Sequence, residues 1–216
     1  MLKTGAEYLE SIRDGRTLYL SDERIEDVTT HPAFRGAART WAALYDLKCR
    51  PELRERMSYE EDGERYSMHF LRPRSREDLI RRTQAHALIA DFGCGVLGRS
   101  PDAGAGSVTG MTMQPEILDA PGGHKDHLLA MWQQMRHEDE FLVYAILPPQ
   151  GGRDPKFYEG SGRQVPALRV TKETDAGVVL NGMKMLATNA AFANQIMIGN
   201  ILPLAPKATG PSGWAG

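Results

Sequence analysis

The sequence predicts an α+β fold, in which a helical domain over residues 1–140 is followed by a β-domain over residues 141–216. In the first part, apolar residues recur at the three- and four-residue spacing of a helix face. In the second part, short β-branched runs are separated by glycine, proline and small polar residues. Helices followed by strands are typical of the α+β class. Because no closing element follows the last strand, we expect the β-domain to be incomplete by itself.

Composition excludes several classes of function. The 216 residues carry a net charge of −2, with 41% hydrophobic and 25% charged residues, which gives no electrostatic basis for binding nucleic acid or an anionic membrane. No apolar run approaches the roughly 18 residues of a membrane span. The two cysteines, Cys49 and Cys94, are too few for a disulfide framework or a structural zinc site, and the N-terminus is polar. We therefore expect a reduced, cytoplasmic protein.

Two capping signals mark helices in the first part. Thr4 is a suitable N-cap with Glu7 at the capping-box position, so a helix is predicted over 4–14 that Gly15 ends. Ser75 with Asp78 three residues later starts a helix that runs to about residue 97. The other elements predicted between them are a hairpin or extended arm over 18–28, a helix that opens at His31-Pro32, a short helix over 51–57, a charged turn region over 58–65 and a strand over 66–71.

The helix that opens at His31 carries an apolar stripe, for which we favour core packing. Its members are Phe34, Ala37, Ala38, Trp41, Leu44, Tyr45 and Lys48. The elements predicted after residue 97 are a glycine-rich loop over 98–110, a helix over 124–140, a buried strand over 141–147, shorter strands over 167–171, 177–180 and 195–202, and a linker-like tail over 203–216.

Polar residues interrupt this otherwise structural sequence at three places. At the first, Arg99 stands beside Ser100 and Asp102. The planar guanidinium can hold an anionic or phenolate oxygen through two parallel hydrogen bonds. A surface arginine–aspartate pair at a helix end is the more common arrangement, so both interpretations stay open on this evidence.

The other two interruptions follow predicted strands. In Pro148–Asp154, prolines fix the backbone, glycines allow a ligand to approach it, and Gln150 and Arg153 offer donors, although an ordinary turn is an equal alternative. Thr188-Asn189 then breaks the apolar sequence between 178 and 199 and would interrupt a buried sheet. Such polar groups bind either the backbone of their own loop or a ligand, and the local pattern favours the loop backbone.

Common catalytic motifs are absent. No GxGxxG follows a predicted strand, and GxxxxGK[ST], GxSxG and HExxH do not occur. His124 and His127 have a spacing that could hold a metal, but they lack a carboxylate or cysteine partner, so we favour a helix-surface role. Cys94 has no evident base, which favours a packed thiol over a nucleophile.

Several blocks of sequence, in order, resemble the large component of the two-component flavin-dependent aromatic hydroxylases, the 4-hydroxyphenylacetate 3-monooxygenase family. The resemblance covers nearly the whole chain up to about residue 200. The blocks are TGAEYLESIRDGR at Thr4–Arg16, DVTTHPAFRGAART at Asp27–Thr40, GRSPD at Gly98–Asp102, ILPPQ at Ile146–Gln150 and KETDAGVVLNGMKMLATNAAFAN at Lys172–Asn194.

The resemblance implies an acyl-CoA-dehydrogenase-like fold, with an N-terminal helical domain, a middle β-barrel and a C-terminal helical bundle that has no counterpart in this sequence. It also implies a monooxygenase that uses reduced FAD (FADH2) delivered by a separate flavin reductase. The flavin would react with O₂ to form a C4a-hydroperoxide, which transfers one oxygen ortho to a phenol hydroxyl. The cofactor would thus carry the oxygen chemistry, which agrees with the missing nucleophile and metal site. A homo-oligomer or a partner chain would supply the missing bundle.

The resemblance also assigns roles by position. Arg99 is similar to the arginine that holds the substrate hydroxyl, and Thr188 to the hydroxyl donor near flavin N5. Gln150, Gly151, Gly152 and Arg153 are similar to part of the segment that contacts FAD.

The sequence departs from the family pattern at three positions. Ala103 replaces the usual tyrosine after GRSPD, Tyr144 replaces the usual histidine before the proline pair, and Gly152 replaces a usual aspartate. The first two belong to the phenol site: Ala103 opens space, and Tyr144 still offers a hydroxyl donor but no cation near neutral pH. We therefore keep Arg99, Ala103 and Tyr144 as candidate substrate-binding residues.

Two other functions were compared with the monooxygenase. A non-catalytic, flavin- or ligand-binding relative that serves as a scaffold is favoured by Ala103, Tyr144 and the length of the sequence. A radical dehydratase on the same scaffold would need an iron–sulfur cluster, for which Cys49 and Cys94 cannot supply the ligands.

Overall fold

The structure is a computed structural model that describes residues 1–119, 123–149 and 168–199. Helices occupy most of the first two ranges, as the sequence predicts. They are α1 (Gly5–Ser11), α2 (Arg35–Cys49), α3 (Pro51–Met57), α4 (Arg76–Phe92), α5 (Pro101–Met111) and α6 (Lys125–His137), with short 3₁₀ helices at Met68–Phe70, Pro115–Leu118 and Ala190–Phe192. None of the helices in these ranges has the length and apolar composition that crossing a membrane requires.

The strands pair two by two within the described ranges. They are β1 (Leu18–Leu20), β2 (Glu23–Ile25), β3 (Ser58–Glu61), β4 (Glu64–Ser67), β5 (Leu142–Ala145), β6 (Arg169–Thr174), β7 (Gly177–Asn181) and β8 (Gln195–Ile198). The pairs β1–β2, β3–β4 and β6–β7 are antiparallel, and β5 pairs with β8. These strands form no closed barrel, so that detail of the expected fold is not confirmed.

The chain divides into two compact units, which are described separately below. The first unit is Met1–Val143 together with Asn189–Gln195, and the second is Tyr144–Thr188 together with Ile196–Gly216. The predicted domains 1–140 and 141–216 stay a prediction. The short segment Asn189–Gln195 groups with the helical unit although it lies far along the chain, because its contacts include α1, the residue before β5 and the residues before α5.

Aromatic side chains form the core of the first unit. The rings of Tyr8 in α1 and Tyr45 in α2 stack with centroids 4.5 Å apart, and Trp41 meets Phe141 edge-on at 5.2 Å. Four predicted stripe residues of α2 are buried in this core, namely Ala38, Trp41, Leu44 and Tyr45. The apolar periodicity of α2 therefore marks core packing, as predicted.

Both predicted capping boxes are present. The Thr4 hydroxyl accepts from the backbone N–H of Glu7, whose carboxylate accepts in return from Thr4 N–H. Ser75 and Asp78 make the same exchange at the start of α4. Each pair satisfies backbone donors that a helix start leaves without a partner.

The prediction for residues 58–71 was wrong. The segment forms the β3–β4 hairpin rather than a charged turn and a strand, because the turn lies at Asp62-Gly63, where φ is +55° and +81°. Tyr59 and Tyr66 pair across the hairpin and are buried, and Glu60 on the opposite face is exposed. The chain then enters the 3₁₀ helix Met68–Phe70.

The prediction of a glycine-rich loop over 98–110 was also wrong, since residues 101–110 form most of helix α5. The preceding helix α4 ends at Phe92, short of the predicted residue 97. Pro101 opens α5 at its first position, where a missing N–H costs nothing. Gly104 lies against strand β5: a Cβ at this position would sit 2.1 Å from the carbonyl oxygen of Leu142. The glycine therefore permits close packing of the helix against the strand. In the sequence pattern, a glycine with this role looks the same as a glycine in a loop.

In the second unit, the β6–β7 hairpin pairs Arg169 with Asn181 and Thr174 with Gly177, with an irregularity after Val170. The sequence predicted a buried sheet here, and that prediction was wrong for the described residues. The side chains at positions 178, 179 and 180 are 53%, 48% and 42% exposed. The second apolar run, 183–186, forms only an isolated bridge from Met185 to Leu147.

Candidate functional site

The first polar interruption lies immediately before α5. Arg99 is exposed and has a φ of +62°, in the left-handed region that residues with a Cβ avoid. Such a conformation costs about 1–3 kcal/mol and persists only where its surroundings hold it. Ser100 occupies the N-cap position of α5 and is nearly buried, so Arg99 is the last residue outside the helix.

The side chain of Asn189 holds this segment. Its amide nitrogen Nδ2 donates to the carbonyl oxygens of Gly98 at 3.0 Å and Arg99 at 3.1 Å. Two such hydrogen bonds contribute about 1–3 kcal/mol together, which matches the cost of the left-handed arginine. The structure thus joins the first interruption of the sequence to the third, across some ninety positions of the chain.

The segment Asn189–Gln195 is itself anchored to the helical unit. The buried hydroxyl of Tyr8 donates to the carbonyl oxygen of Phe192 at 2.8 Å. Asn194 exchanges two hydrogen bonds with Phe141, one through its backbone N–H at 2.8 Å and one through its side-chain oxygen at 2.9 Å. The segment that carries the Asn189 amide is therefore fixed, and this amide binds the backbone of a distant segment rather than that of its own loop.

A second network fixes the start of α5. The carboxylate of Asp102 accepts a hydrogen bond from the Ser100 hydroxyl and pairs with Nδ1 of His86, which projects from α4. Burial alone would raise the pKa of Asp102, but the hydrogen bonds from His86 and Ser100 outweigh it and lower that pKa to about 2. Asp102 is therefore an ionised structural acceptor near neutral pH, and it is unsuited to be a general base.

The remaining predicted site residues are in different parts of the chain. Ala103 is half-buried in the first turn of α5, in the first unit. Tyr144, half-buried on β5, and Thr188, exposed beside Asn189 in sequence, belong to the second unit. The FAD-contacting residues predicted at 150–153 lie outside the described residues. The structure thus brings Arg99 together with the Asn189 segment, and the convergence of all the predicted residues on one ring stays a prediction.

A buried charged cluster in the first unit was not predicted. Asp139, fully buried, accepts from Lys48 Nζ and from the Ser67 hydroxyl, both at 2.6 Å. Burial alone would raise the pKa of Asp139, but the adjacent ammonium of Lys48 holds it well below its usual value. Nε2 of His69 lies 3.6 Å from this carboxylate, too far for a hydrogen bond, and burial lowers the pKa of His69. The sequence signal that could have predicted this cluster is Lys48, a charged residue within the otherwise apolar stripe of α2.

Two further polar features lie elsewhere in the described residues. In the second unit, Nε of Arg169 is buried and finds no hydrogen-bond partner in the part of the chain that the structure describes. The same part holds no group of three histidine, cysteine, aspartate or glutamate side chains that could bind a metal. His124 and His127 lie with ring centroids 6.0 Å apart and without such a third ligand.

Comparison with known proteins identifies the family. The family described as 4-hydroxyphenylacetate 3-hydroxylase N terminal matches residues 4–210. The chain belongs to this family. Its acyl-CoA-dehydrogenase-like fold agrees with that of solved oxygenase structures, since the oxygenase component HpaB in complex with FAD and 4-hydroxyphenylacetate superposes with a TM-score of 0.85 over 96% of this chain and 43% of the other, at 35% identity.

Two curated relatives are similar to this chain over most of its length. The 4-hydroxyphenylacetate 3-monooxygenase oxygenase component of Thermus thermophilus is 38% identical over 92% of this chain and 40% of the relative. An oxygenase component of Rhodococcus opacus, named for 4-nitrophenol and 4-nitrocatechol, is 34% identical over 93% of this chain and 39% of the relative. The chain therefore spans about two fifths of the length of these relatives.

The chemistry of the candidate residues fits a flavin and a phenol. Arg99, Tyr144 and Thr188 offer one guanidinium and two hydroxyl groups, which are hydrogen-bond donors of the kind that orient a flavin ring or hold a phenol oxygen. Arg99 is both exposed and held in a defined backbone conformation, as a ligand-binding group must be.

Proposed function

We propose that this chain is part of a reduced-FAD-dependent monooxygenase that hydroxylates a phenolic substrate next to its hydroxyl group. A separate flavin reductase supplies the reduced FAD. The observation that carries the proposal is the clamped Arg99 segment: an exposed guanidinium, held in a costly backbone conformation, in a chain whose family includes an FAD- and phenol-bound oxygenase.

Arg99 has the leading role among the residues of this chain. Its guanidinium donates hydrogen bonds to the phenol oxygen and, being permanently charged, favours the phenolate form. A phenolate directs electron density to the ring carbon beside the oxygen, which is the position that is hydroxylated. Arg99 thus both orients the ring and favours its reactive form. The phenol proton passes to water, and the ring hydrogen that the oxygen replaces leaves as a second proton when the ring regains its aromaticity.

The other candidate residues would serve the same reaction. Tyr144 would donate a second hydrogen bond to the substrate, and Ala103 would leave room beside the ring that a tyrosine would fill. Thr188 would hold the flavin edge near N5, and residues 150–153 would hold the rest of FAD. When bound, reduced FAD supplies the oxygen chemistry: together with O₂ it delivers one oxygen atom to the ring, so the protein needs to orient both partners and exclude water.

The relatives support a phenol as the substrate class. The compounds in their names, 4-hydroxyphenylacetate and 4-nitrophenol, share a ring hydroxyl and differ in the para substituent. An arginine that reads the shared hydroxyl is consistent with both. Because Ala103 is small, we expect this chain to accept a bulkier ring than a site with tyrosine at that position accepts.

The test combines the full chain with a flavin reductase, NADH, FAD and ¹⁸O₂, and measures labelled catechol products from a set of para-substituted phenols by mass spectrometry. We expect one labelled oxygen per product. Arg99→Ala should lower kcat/KM by about 10- to 100-fold, the worth of one or two charge-assisted hydrogen bonds. Arg24→Ala, which removes an exposed arginine of the β1–β2 hairpin, is the matched control and should leave kcat/KM unchanged.

Binding of reduced FAD is measured separately under anaerobic conditions, by the change in its absorbance. Binding without any labelled product would favour the non-catalytic relative over the monooxygenase. Neither binding nor product, with the chain folded by circular dichroism, would refute both.

A further inference from the structure

We propose that Asn189 is a positioning residue that fixes Arg99 through both hydrogens of its side-chain amide, so that the guanidinium meets the phenol oxygen in one orientation. This inference rests on the proposed function, which gives Arg99 its role. It adds a role for Asn189, which is separate from the roles predicted for Arg99 and Thr188.

Different groups hold the backbone on the two sides of Arg99. On the C-terminal side, Ser100, Asp102 and His86 fix the first turn of α5. Arg99 lies outside that turn, in the left-handed region, so the helix does not determine its backbone conformation. At that point Asn189 donates hydrogen bonds to the carbonyl oxygens of Gly98 and Arg99, at 3.0 and 3.1 Å.

The amide group suits this task better than other side chains. A single nitrogen with two hydrogens can donate to two carbonyl oxygens at once, whereas an aspartate of the same shape has no donor. Asn189 also has a φ of +65°, a left-handed conformation that asparagine tolerates more easily than most residues. Asparagine therefore satisfies a backbone requirement and a donor requirement at one position.

The segment that carries the Asn189 side chain is also held in place. The residues that follow Asn189 are tied to Tyr8 and Phe141, which belong to the buried core of the helical unit. A displacement of Arg99 would thus have to break hydrogen bonds to a fixed group. Because the guanidinium is at the end of a long side chain, a small change at its backbone displaces the donor atoms by about an ångström, enough to lower reaction rates by up to about 100-fold.

Three variants separate the two requirements. Asn189→Gly keeps the left-handed conformation and removes the amide, Asn189→Asp keeps the shape and removes both donors, and Asn189→Ala removes the amide and disfavours the conformation. Asn181→Asp, at the exposed end of β7, is the matched control for an asparagine changed outside the site. Each is made in the full chain and assayed with the reductase and the phenol that the wild type hydroxylates.

We expect all three Asn189 variants to raise the KM of the phenol or lower kcat by about 10- to 100-fold, while the affinity for reduced FAD changes less than about threefold. The effect should vanish when Arg99 is absent: Asn189→Ala added to Arg99→Ala should change kcat/KM less than about twofold, because the two residues act as one unit. Full activity in Asn189→Gly, or a penalty in the double variant equal to that in the single one, would overturn the proposal.

Hydrogen exchange provides a readout that needs no activity. The backbone amide of Gly98 donates to the carbonyl oxygen of Val96 within this segment. If Asn189 holds the segment, this amide should exchange about 10-fold faster in Asn189→Gly and at the wild-type rate in Asn181→Asp, while the Ala103 amide, in the turn that Ser100 and Asp102 fix, is the internal reference. Should the wild type form no hydroxylated product, the proposed function fails and exchange alone decides: unchanged rates in Asn189→Gly would then overturn the role of Asn189 as well.

Discussion

Removing the charge of Asp139 should destabilise the helical unit more than any single surface change. Its carboxylate has no exposed surface and accepts from Lys48 Nζ and Ser67 Oγ at 2.6 Å and from Lys3 N–H at 3.2 Å. In Asp139→Asn, the amide oxygen can accept from only one of these groups in place of two carboxylate oxygens, and the buried Lys48 ammonium would lack its counter-charge. The left-handed φ of +47° at this position is tolerated by asparagine, so the backbone is not the cause of the effect.

Breaking a buried ion pair by removing one partner costs about 3–5 kcal/mol. For a chain of this length, 1 kcal/mol corresponds to about 2–4 °C in Tm, so we expect Asp139→Asn to lower Tm by about 6–20 °C. In the double variant Lys48→Met/Asp139→Asn, no charge is left without a partner, and methionine retains much of the lysine stem. Its Tm should therefore lie well above that of Asp139→Asn.

The pH dependence gives an independent check. Because Lys48 holds the pKa of Asp139 below its ordinary value of 3.8, the contribution of the ion pair is fully present above pH 3.8 and is lost as the pH falls below it. Thermal unfolding followed by the fluorescence of Trp41 and Trp132, both buried in the first unit, would show a gap between wild type and Asp139→Asn that narrows in acid. A gap below about 2 °C at neutral pH, or one that stays constant in acid, would refute the reasoning.

Two further predictions concern the helical unit. Gly104→Ala should destabilise it by about 1–3 kcal/mol in urea unfolding, because the new Cβ would meet the Leu142 carbonyl oxygen at 2.1 Å. In the control Gly110→Ala, in the same helix, the new Cβ meets nothing within 4 Å, so this variant should be neutral or stabilised by up to about 1 kcal/mol. Equal effects of the two substitutions would contradict this account. His69 is buried with its pKa lowered from 6.5 by burial, so the unfolded chain binds the extra proton and stability should rise as the pH increases through the range below 6.5. His69→Gln should flatten that slope in unfolding measured above and below pH 6.5, and an unchanged slope would exclude His69 as its source.

Local signals in the sequence were enough to predict much of the helical unit. The capping boxes at Thr4 and Ser75 and the apolar stripe of α2 act over a few residues, and the structure has both helix starts and the buried face where they predict them. Hairpin β3–β4 could also have been predicted. Asp62-Gly63 is a strong turn signal, and Tyr59 and Tyr66 stand on either side of it, on the same face of the hairpin.

The errors share one physical cause. Glycine in sequence indicates either a flexible loop or a close approach of two backbones, and only the position of a distant partner distinguishes them. Gly104 faces the Leu142 carbonyl, nearly forty positions away, so its segment is a packed helix rather than a loop. The burial of the apolar residues in β7 likewise depends on which other element packs against the strand, and the strand pattern alone does not contain that information.

The amino-acid sequence by itself determined the α+β character, the helix starts and, through several ordered blocks, the family and its candidate residues Arg99, Tyr144 and Thr188. Only the tertiary structure decided that Asn189 holds Arg99 and that Lys48 and Asp139 form a buried pair. Both contacts join residues about ninety positions apart, and local propensity contains no information about such pairs. The Lys48–Asp139 pair forms where folding excludes water from both groups, whereas the exposed hydrogen bonds of Asn189 form because folding places its segment beside Gly98 and Arg99.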